Sequence, residues 1–124
     1  MPAAILLIAH GSRRPDANAD LVKVAAALQD RLPDHIVEIA YLELVDPEIP
    51  AGLQHCLNRG ADSICMLPYF LSAGAHVTDD LREFQQTFQR EHPQVSCQLC
   101  PPLGLHPLIV DVLLARLSEV KRPL

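Results

Sequence analysis

The stretch Ala4-Ile5-Leu6-Leu7-Ile8-Ala9-His10-Gly11-Ser12-Arg13-Arg14-Pro15-Asp16 decides the fold. Ala4 to Ala9 is an unbroken apolar run, the mark of a strand buried on both faces. It stops at a polar loop containing a glycine. Asp16 or its neighbours then open a helix that runs to about Leu32. Leu21, Val24, Ala25, Leu28 and Leu32 recur along it at helical spacing. Pro33-Asp34 stops it. A fully buried strand feeding an amphipathic helix is the unit from which parallel sheets are built.

The alternation continues outward from this stretch. Ile36 to Leu42 reads as a second strand, and Pro47 opens a second helix carrying Leu53, Cys56 and Leu57, which Gly60 ends. Ser63 to Leu67 is a third strand. Thr78 is the expected N-cap of a third helix, with Asp79 and Asp80 in its first turn and Leu81, Phe84 and Phe88 facing the core. Val95 to Leu99 is a fourth strand. A last helix begins near Pro107, with Ile109, Val112, Leu113, Leu117 and Val120 as its apolar face. The expected architecture is α/β in the order βαβαβαβα. It is a four-stranded parallel sheet with right-handed crossovers and helices on both faces, one domain over residues 1–124.

Composition narrows the function classes. The 124 residues carry a net charge of −5, which argues against nucleic-acid binding, since that needs a basic face. No apolar run approaches the roughly 20 residues of a membrane span. The apolar N-terminal run lacks the preceding positive charge of a signal peptide, so a cytoplasmic location is expected. The four cysteines are Cys56, Cys65, Cys97 and Cys100. Cys97 and Cys100 form a C-x-x-C on an alternating strand, which directs them to opposite faces. Without a second pair at suitable spacing, the four read as small, buried, reduced thiols rather than a zinc or redox site.

In open parallel sheets, ligands bind beyond the carboxyl ends of the strands. Here those ends carry His10-Gly11-Ser12-Arg13-Arg14, Tyr41-Leu42-Glu43, Pro68 to His76, and Leu103-Gly104-Leu105-His106-Pro107. Imidazole and carboxylate on one edge suit a borderline divalent metal. Taken singly, His10 also reads as a hydrogen-bonded structural residue, and Glu43 as a cap or an arginine partner. His106, just before Pro107, reads best as a helix cap. His35, His55 and His92 lie away from this edge and read as surface or structural residues. The loop after the first strand has neither G-x-G-x-x-G nor a G-K-[ST] ending, and no G-x-S-x-G elbow occurs, so no nucleotide cofactor is expected.

The segments Leu7-Ile8-Ala9-His10-Gly11-Ser12-Arg13, Ala40-Tyr41-Leu42-Glu43, Leu67 to Val77 with Asp80-Leu81, and Leu103 to Leu108 occur in this order along nearly the whole chain. In them the sequence resembles the small single-domain sirohydrochlorin chelatases, the class II chelatases of cobalamin and sirohaem biosynthesis. The resemblance implies a chelatase-like (flavodoxin-like) half-domain. It also implies ATP-independent insertion of a divalent metal substrate, Co2+, Fe2+ or Ni2+, into a sirohydrochlorin-type tetrapyrrole. Longer relatives fuse two such domains around a cleft, and chains of this length resemble those that form a homodimer. By the resemblance His10 and His76 handle the metal, and Glu43 matches their acidic partner. The His-rich tail or loop of some relatives is missing here.

Elementary chemistry agrees with that assignment. Metal insertion removes two pyrrole protons and strips water from the metal, work suited to imidazole. Ser12, Arg13 and Arg14, beside a helix N-terminus, suit the carboxylates of such a substrate. Tyr69, Phe70 and Leu71, with Gly74 and Ala75 after them, suit its apolar ring, although Phe70 equally suits the core. The competing reading is a metal- or tetrapyrrole-binding protein without turnover.

Overall fold

A computed structural model describes residues 2–120. The elements are β1 (Ala3–Ala9), α1 (Pro15–Arg31), β2 (Ile36–Tyr41), α2 (Ile49–Asn58), β3 (Ser63–Pro68), α3 (Ala75–Glu91), β4 (Ser96–Leu99) and α4 (Pro107–Ser118). The strands form one sheet in the order β2-β1-β3-β4, all neighbours parallel. The expected alternation and parallel pairing are both present.

The apolar run of β1 earns its central place by feeding two cores. Leu6 and Ile8 join Ile49, Leu53 and Cys56 of α2 and Leu81 and Phe88 of α3 on one face. Leu7 joins Leu21 and Ala25 of α1, with Val37 and Tyr41 of β2, on the other. Side chains alternate across a strand, so a central strand must be apolar at nearly every position. Gly52 lets α2 sit close to the sheet: a Cβ there would lie 2.8 Å from Leu6 Cδ1 and 2.9 Å from the Cβ of Ala40.

Two helix starts differ from expectation. Helix α3 starts at Ala75 with Gly74 as its N-cap, not at Thr78. The Thr78 N–H instead makes the first intrahelical bond, to the Gly74 carbonyl at 3.0 Å. Its first turn carries no acid, because Asp79 and Asp80 lie one turn further in. Helix α2 starts at Ile49, with Pro50 in its first turn, rather than at Pro47. The Pro47 carbonyl accepts the Tyr41 N–H at 2.8 Å, so this proline closes the loop after β2.

The fourth helix departs most. The expected apolar face of Ile109, Val112, Leu113 and Leu117 forms on a helix, but no residue of α4 is buried. Val120 lies beyond the helix and is exposed. Among the described residues α4 packs substantially against no other element. Helical spacing reports which residues share a face, not what lies opposite that face.

Candidate active site

The carboxyl edge of the sheet is built by backbone bonds that outlast the strands. The β1–β2 ladder runs to Ala9 beside Tyr41. It then continues as Leu42 N–H to Ala9 carbonyl at 2.9 Å and Glu43 N–H to His10 carbonyl at 3.2 Å. His10 and Glu43 therefore stay in register after the strands end. Their side chains meet, with His10 Nε2 3.4 Å from Glu43 Oε1. Both are more than half exposed, at 54% and 58%, so the pair faces an open edge. Phe70, from the loop after β3, stands edge-on to the His10 ring with centroids 6.3 Å apart. It is half-buried and also packs against the larger core.

Beyond Glu43 the chain turns sharply. Leu44 adopts a left-handed φ of 71°, and the Val45 N–H donates to the Glu43 carbonyl at 2.9 Å. A bulky residue with positive φ is strained, and such strain concentrates at functional sites.

The loop after β1 is clamped by a residue that sequence reasoning missed. Asn18 Oδ1 accepts from the Ser12 N–H at 2.9 Å, and Asn18 Nδ2 donates to the Ser12 carbonyl at 2.7 Å. Tyr41, also missed, donates its hydroxyl to the Asn18 carbonyl at 2.8 Å. Burial pushes the Tyr41 phenol above its ordinary pKa, so it remains a donor. An asparagine in the second turn of a helix is unfavourable by propensity, and that was the available signal. The Ser12 hydroxyl accepts from the Arg14 N–H at 3.1 Å, while Arg13 and Arg14 are exposed.

His76 lies elsewhere on the same edge. It is the second residue of α3, not a loop residue, and it is exposed. Among the described residues no three His, Cys, Asp or Glu side chains are grouped tightly enough to hold a metal ion. The single chain thus brings His10 and Glu43 together and leaves His76 apart. Tyr69 and Leu71 are exposed, and Gly74 and Ala75 open α3 beside them. His106 caps α4, its Nδ1 accepting from the Leu108 N–H at 3.1 Å, which is the structural role expected for it.

The cysteines are free thiols. Burial, with smaller charge effects, pushes Cys56 up to about 12 and Cys97 up to about 11. Cys97 lies in the larger core, while Cys65 and Cys100 are only half-buried, unlike the expectation for all four, because they lie on or just past strands whose other face is less covered.

Residues 4–120 match the CbiX family model. The chain belongs to the CbiX family. A relative from Priestia megaterium, described as a sirohydrochlorin ferrochelatase, is 33% identical over 94% of this chain and 44% of its own length. The structure of the sirohydrochlorin chelatase SirB from Bacillus subtilis subspecies spizizenii, in complex with cobalt, superposes with a TM-score of 0.87. It is 27% identical, covering 97% of this chain and 51% of that one. A CbiX protein from Marinobacter aquaeolei VT8 superposes with a TM-score of 0.77. It is 28% identical, covering 96% of this chain and 100% of that one. This CbiX-family chain spans about half the length of the first curated relatives it matches. Among the described residues of this CbiX-family chain, no helix is long and apolar enough to cross a membrane.

Proposed function

We propose that this chain inserts a divalent metal ion, Co2+ or Fe2+ and on the same chemistry Ni2+, into a sirohydrochlorin-type tetrapyrrole without a nucleotide. The observation that carries this is the His10–Glu43 pair, 3.4 Å apart at the carboxyl edge of the sheet, in a chain of the CbiX family. Relatives described as sirohydrochlorin cobaltochelatase and ferrochelatase support the substrate pair.

In this reading His10 and His76 hold the incoming metal from two sides, as imidazole suits all three ions. Glu43 orients His10 and compensates charge. As four metal–nitrogen bonds form, the two pyrrole protons leave, and His10 with Glu43 lies where one can be accepted. A site of few protein ligands suits transfer, because the metal must leave it. Ser12, Arg13 and Arg14 hold substrate carboxylates, and Tyr69, Phe70 and Leu71, with Gly74 and Ala75, line the ring face. Four free thiols support a reducing, cytoplasmic setting.

One chain gives one open wall, with both members of the pair more than half exposed. We therefore propose that the working unit is a homodimer whose two site edges face one another. A two-fold axis then brings two copies of each histidine to one cleft.

The test is anaerobic incubation of the protein with metal-free sirohydrochlorin and each metal in turn, followed by absorbance. Nucleotide-independent insertion above the protein-free rate is expected with at least one of the three. Tetrapyrrole binding without insertion for all of them would make the chain a carrier and overturn the proposal.

A further inference from the structure

The chain repeats itself. Helices α1 and α3 are both 17 residues long, and the offset between their N-caps, Arg14 and Gly74, is also the offset between their C-caps, Leu32 and His92. At that offset Leu21 matches Leu81, both buried, and Pro33 matches Pro93. The pairing of β1 with β3 keeps it too: Ala3 lies beside Ser63 and Ile8 beside Pro68. Each paired residue of β1 therefore sits next to its own counterpart. The two halves are copies of one βαβα unit, joined along their first strands.

What both halves share serves the fold. Gln29 closes the end of α1: its Nε2 donates to the Leu32 and His35 carbonyls at 3.0 and 2.8 Å, and its Oε1 accepts from the Val37 N–H at 3.3 Å. Gln89 closes α3 in the same way, through the His92 and Val95 carbonyls at 3.2 and 2.8 Å and the Cys97 N–H at 2.9 Å. At the carboxyl edge the Glu43 N–H donates to the His10 carbonyl, and its counterpart, the Leu103 N–H, to the Phe70 carbonyl at 3.1 Å. A residue with positive φ follows in each half, Leu44 and Gly104.

The clamp on the loop after β1 is not shared. In the first half Asn18 holds both backbone groups of Ser12, and the Tyr41 hydroxyl holds the Asn18 carbonyl. In the second half Thr78 stands where Asn18 does, and Pro101 where Tyr41 does. Threonine lacks the forked amide of asparagine, and proline has no hydroxyl. Helix α3 nevertheless forms at the length of α1. The helix does not need the clamp. Asparagine inside a helix is unfavourable, so Asn18 is explained by what it holds.

It holds an arm between the His10–Glu43 pair and two cations. Ser12 lies between His10, whose carbonyl Glu43 fixes, and Arg13 and Arg14, both exposed. With the N–H and carbonyl of Ser12 tied down, the two guanidinium groups branch from a fixed base at a set distance from His10. The counterpart stretch, Leu71-Ser72-Ala73-Gly74, bears no cation. An arm ordered beforehand loses less conformational freedom when it grips a ligand.

We infer that Asn18 and Tyr41 are positioning residues: acting through Ser12, they set the Arg13–Arg14 arm where it meets the carboxylates of an anionic ring substrate. This rests on the chelatase reading and adds to it two residues that act without touching the metal.

The experiment compares Asn18→Ala, Tyr41→Phe and Gln29→Ala with the parent chain. Metal-free sirohydrochlorin is titrated by absorbance at low and high salt, Co2+ is titrated separately, and thermal denaturation follows stability. Asn18→Ala is expected to weaken tetrapyrrole binding by about tenfold and to flatten its salt dependence, as contacts to the guanidinium groups are lost. Its Co2+ affinity should stay near the parent value, because the His10–Glu43 ladder does not pass through the clamp. Tyr41→Phe keeps the buried ring and should weaken tetrapyrrole binding in the same sense by about threefold, which decides the matter if Asn18→Ala does not fold. Gln29→Ala removes the clamp that both halves share, and should lower the melting temperature with tetrapyrrole affinity unchanged. Parent-like tetrapyrrole affinity in Asn18→Ala and Tyr41→Phe would make their clamp structural and overturn the inference, leaving the chelatase reading standing. An equal loss of affinity in Gln29→Ala would overturn it as well. A parent chain that binds no sirohydrochlorin would remove both readings.

Discussion

The backbone carbonyl oxygen of Glu43 occupies the space that a side chain on Gly11 would need. Gly11 also has a left-handed φ of 97°, which glycine alone adopts without cost. The close approach is what brings the loop after β1 against the loop after β2, and so His10 against Glu43. Gly11→Ala is expected to destabilise the protein by about 2 kcal/mol or more and to separate the pair. Urea denaturation and Co2+ titration measure the two effects. Wild-type values in both would show the contact to be incidental.

His10→Ala and His76→Ala should each lower metal insertion by about 100-fold. Glu43→Gln should lower it by about tenfold, since it acts through His10. All three side chains are exposed, so melting temperatures should stay near wild type. A His76→Ala protein with unaltered turnover at subsaturating metal would remove that residue from the site.

Gly52→Ala tests packing apart from chemistry. A Cβ 2.8 Å from Leu6 Cδ1 and 2.9 Å from the Cβ of Ala40 overfills the larger core. A loss of about 1–3 kcal/mol is expected, with insertion unchanged at temperatures where the variant stays folded. An equal loss of activity and stability at low temperature would tie this helix to the site.

The buried thiols set an alkaline limit. Cys56 is pushed up to about 12 and Cys97 up to about 11, chiefly by burial. Unfolded thiols ionise near 8.5. Below that value both states are protonated and stability does not depend on these groups. Above it the unfolded chain loses protons first, so stability falls as pH rises, by up to about 1.4 kcal/mol per pH unit for each thiol. Denaturation midpoints measured from pH 8 to pH 10 should decline, and Cys56→Ala should flatten the decline. A flat profile in the parent chain would show these thiols to be solvated.

The order of elements was legible because it depends on local pattern. Ala4 to Ala9 is apolar at each position only because β1 is central, and that run alone announces a strand covered on both sides. The site edge followed from topology, since strand ends in a parallel sheet all point one way. The start of α3 was misplaced because Thr78 and its acids resemble a helix start. Gly74, which caps it through backbone alone, leaves no side-chain signal.

The βαβαβαβα order, the parallel sense and the edge on which His10, Glu43 and His76 lie are all encoded in local pattern. Each depends on periodicity and chain direction, which are written residue by residue. That His10 and Glu43 meet is a result of packing, because their contact depends on a ladder continued between two loops and on the fit of Gly11 against a carbonyl. The tertiary structure also showed that, among the described residues, α4 packs substantially against no other element. Apolar spacing states that a surface must be buried, and the surface that buries it is a property of the folded arrangement rather than of the segment.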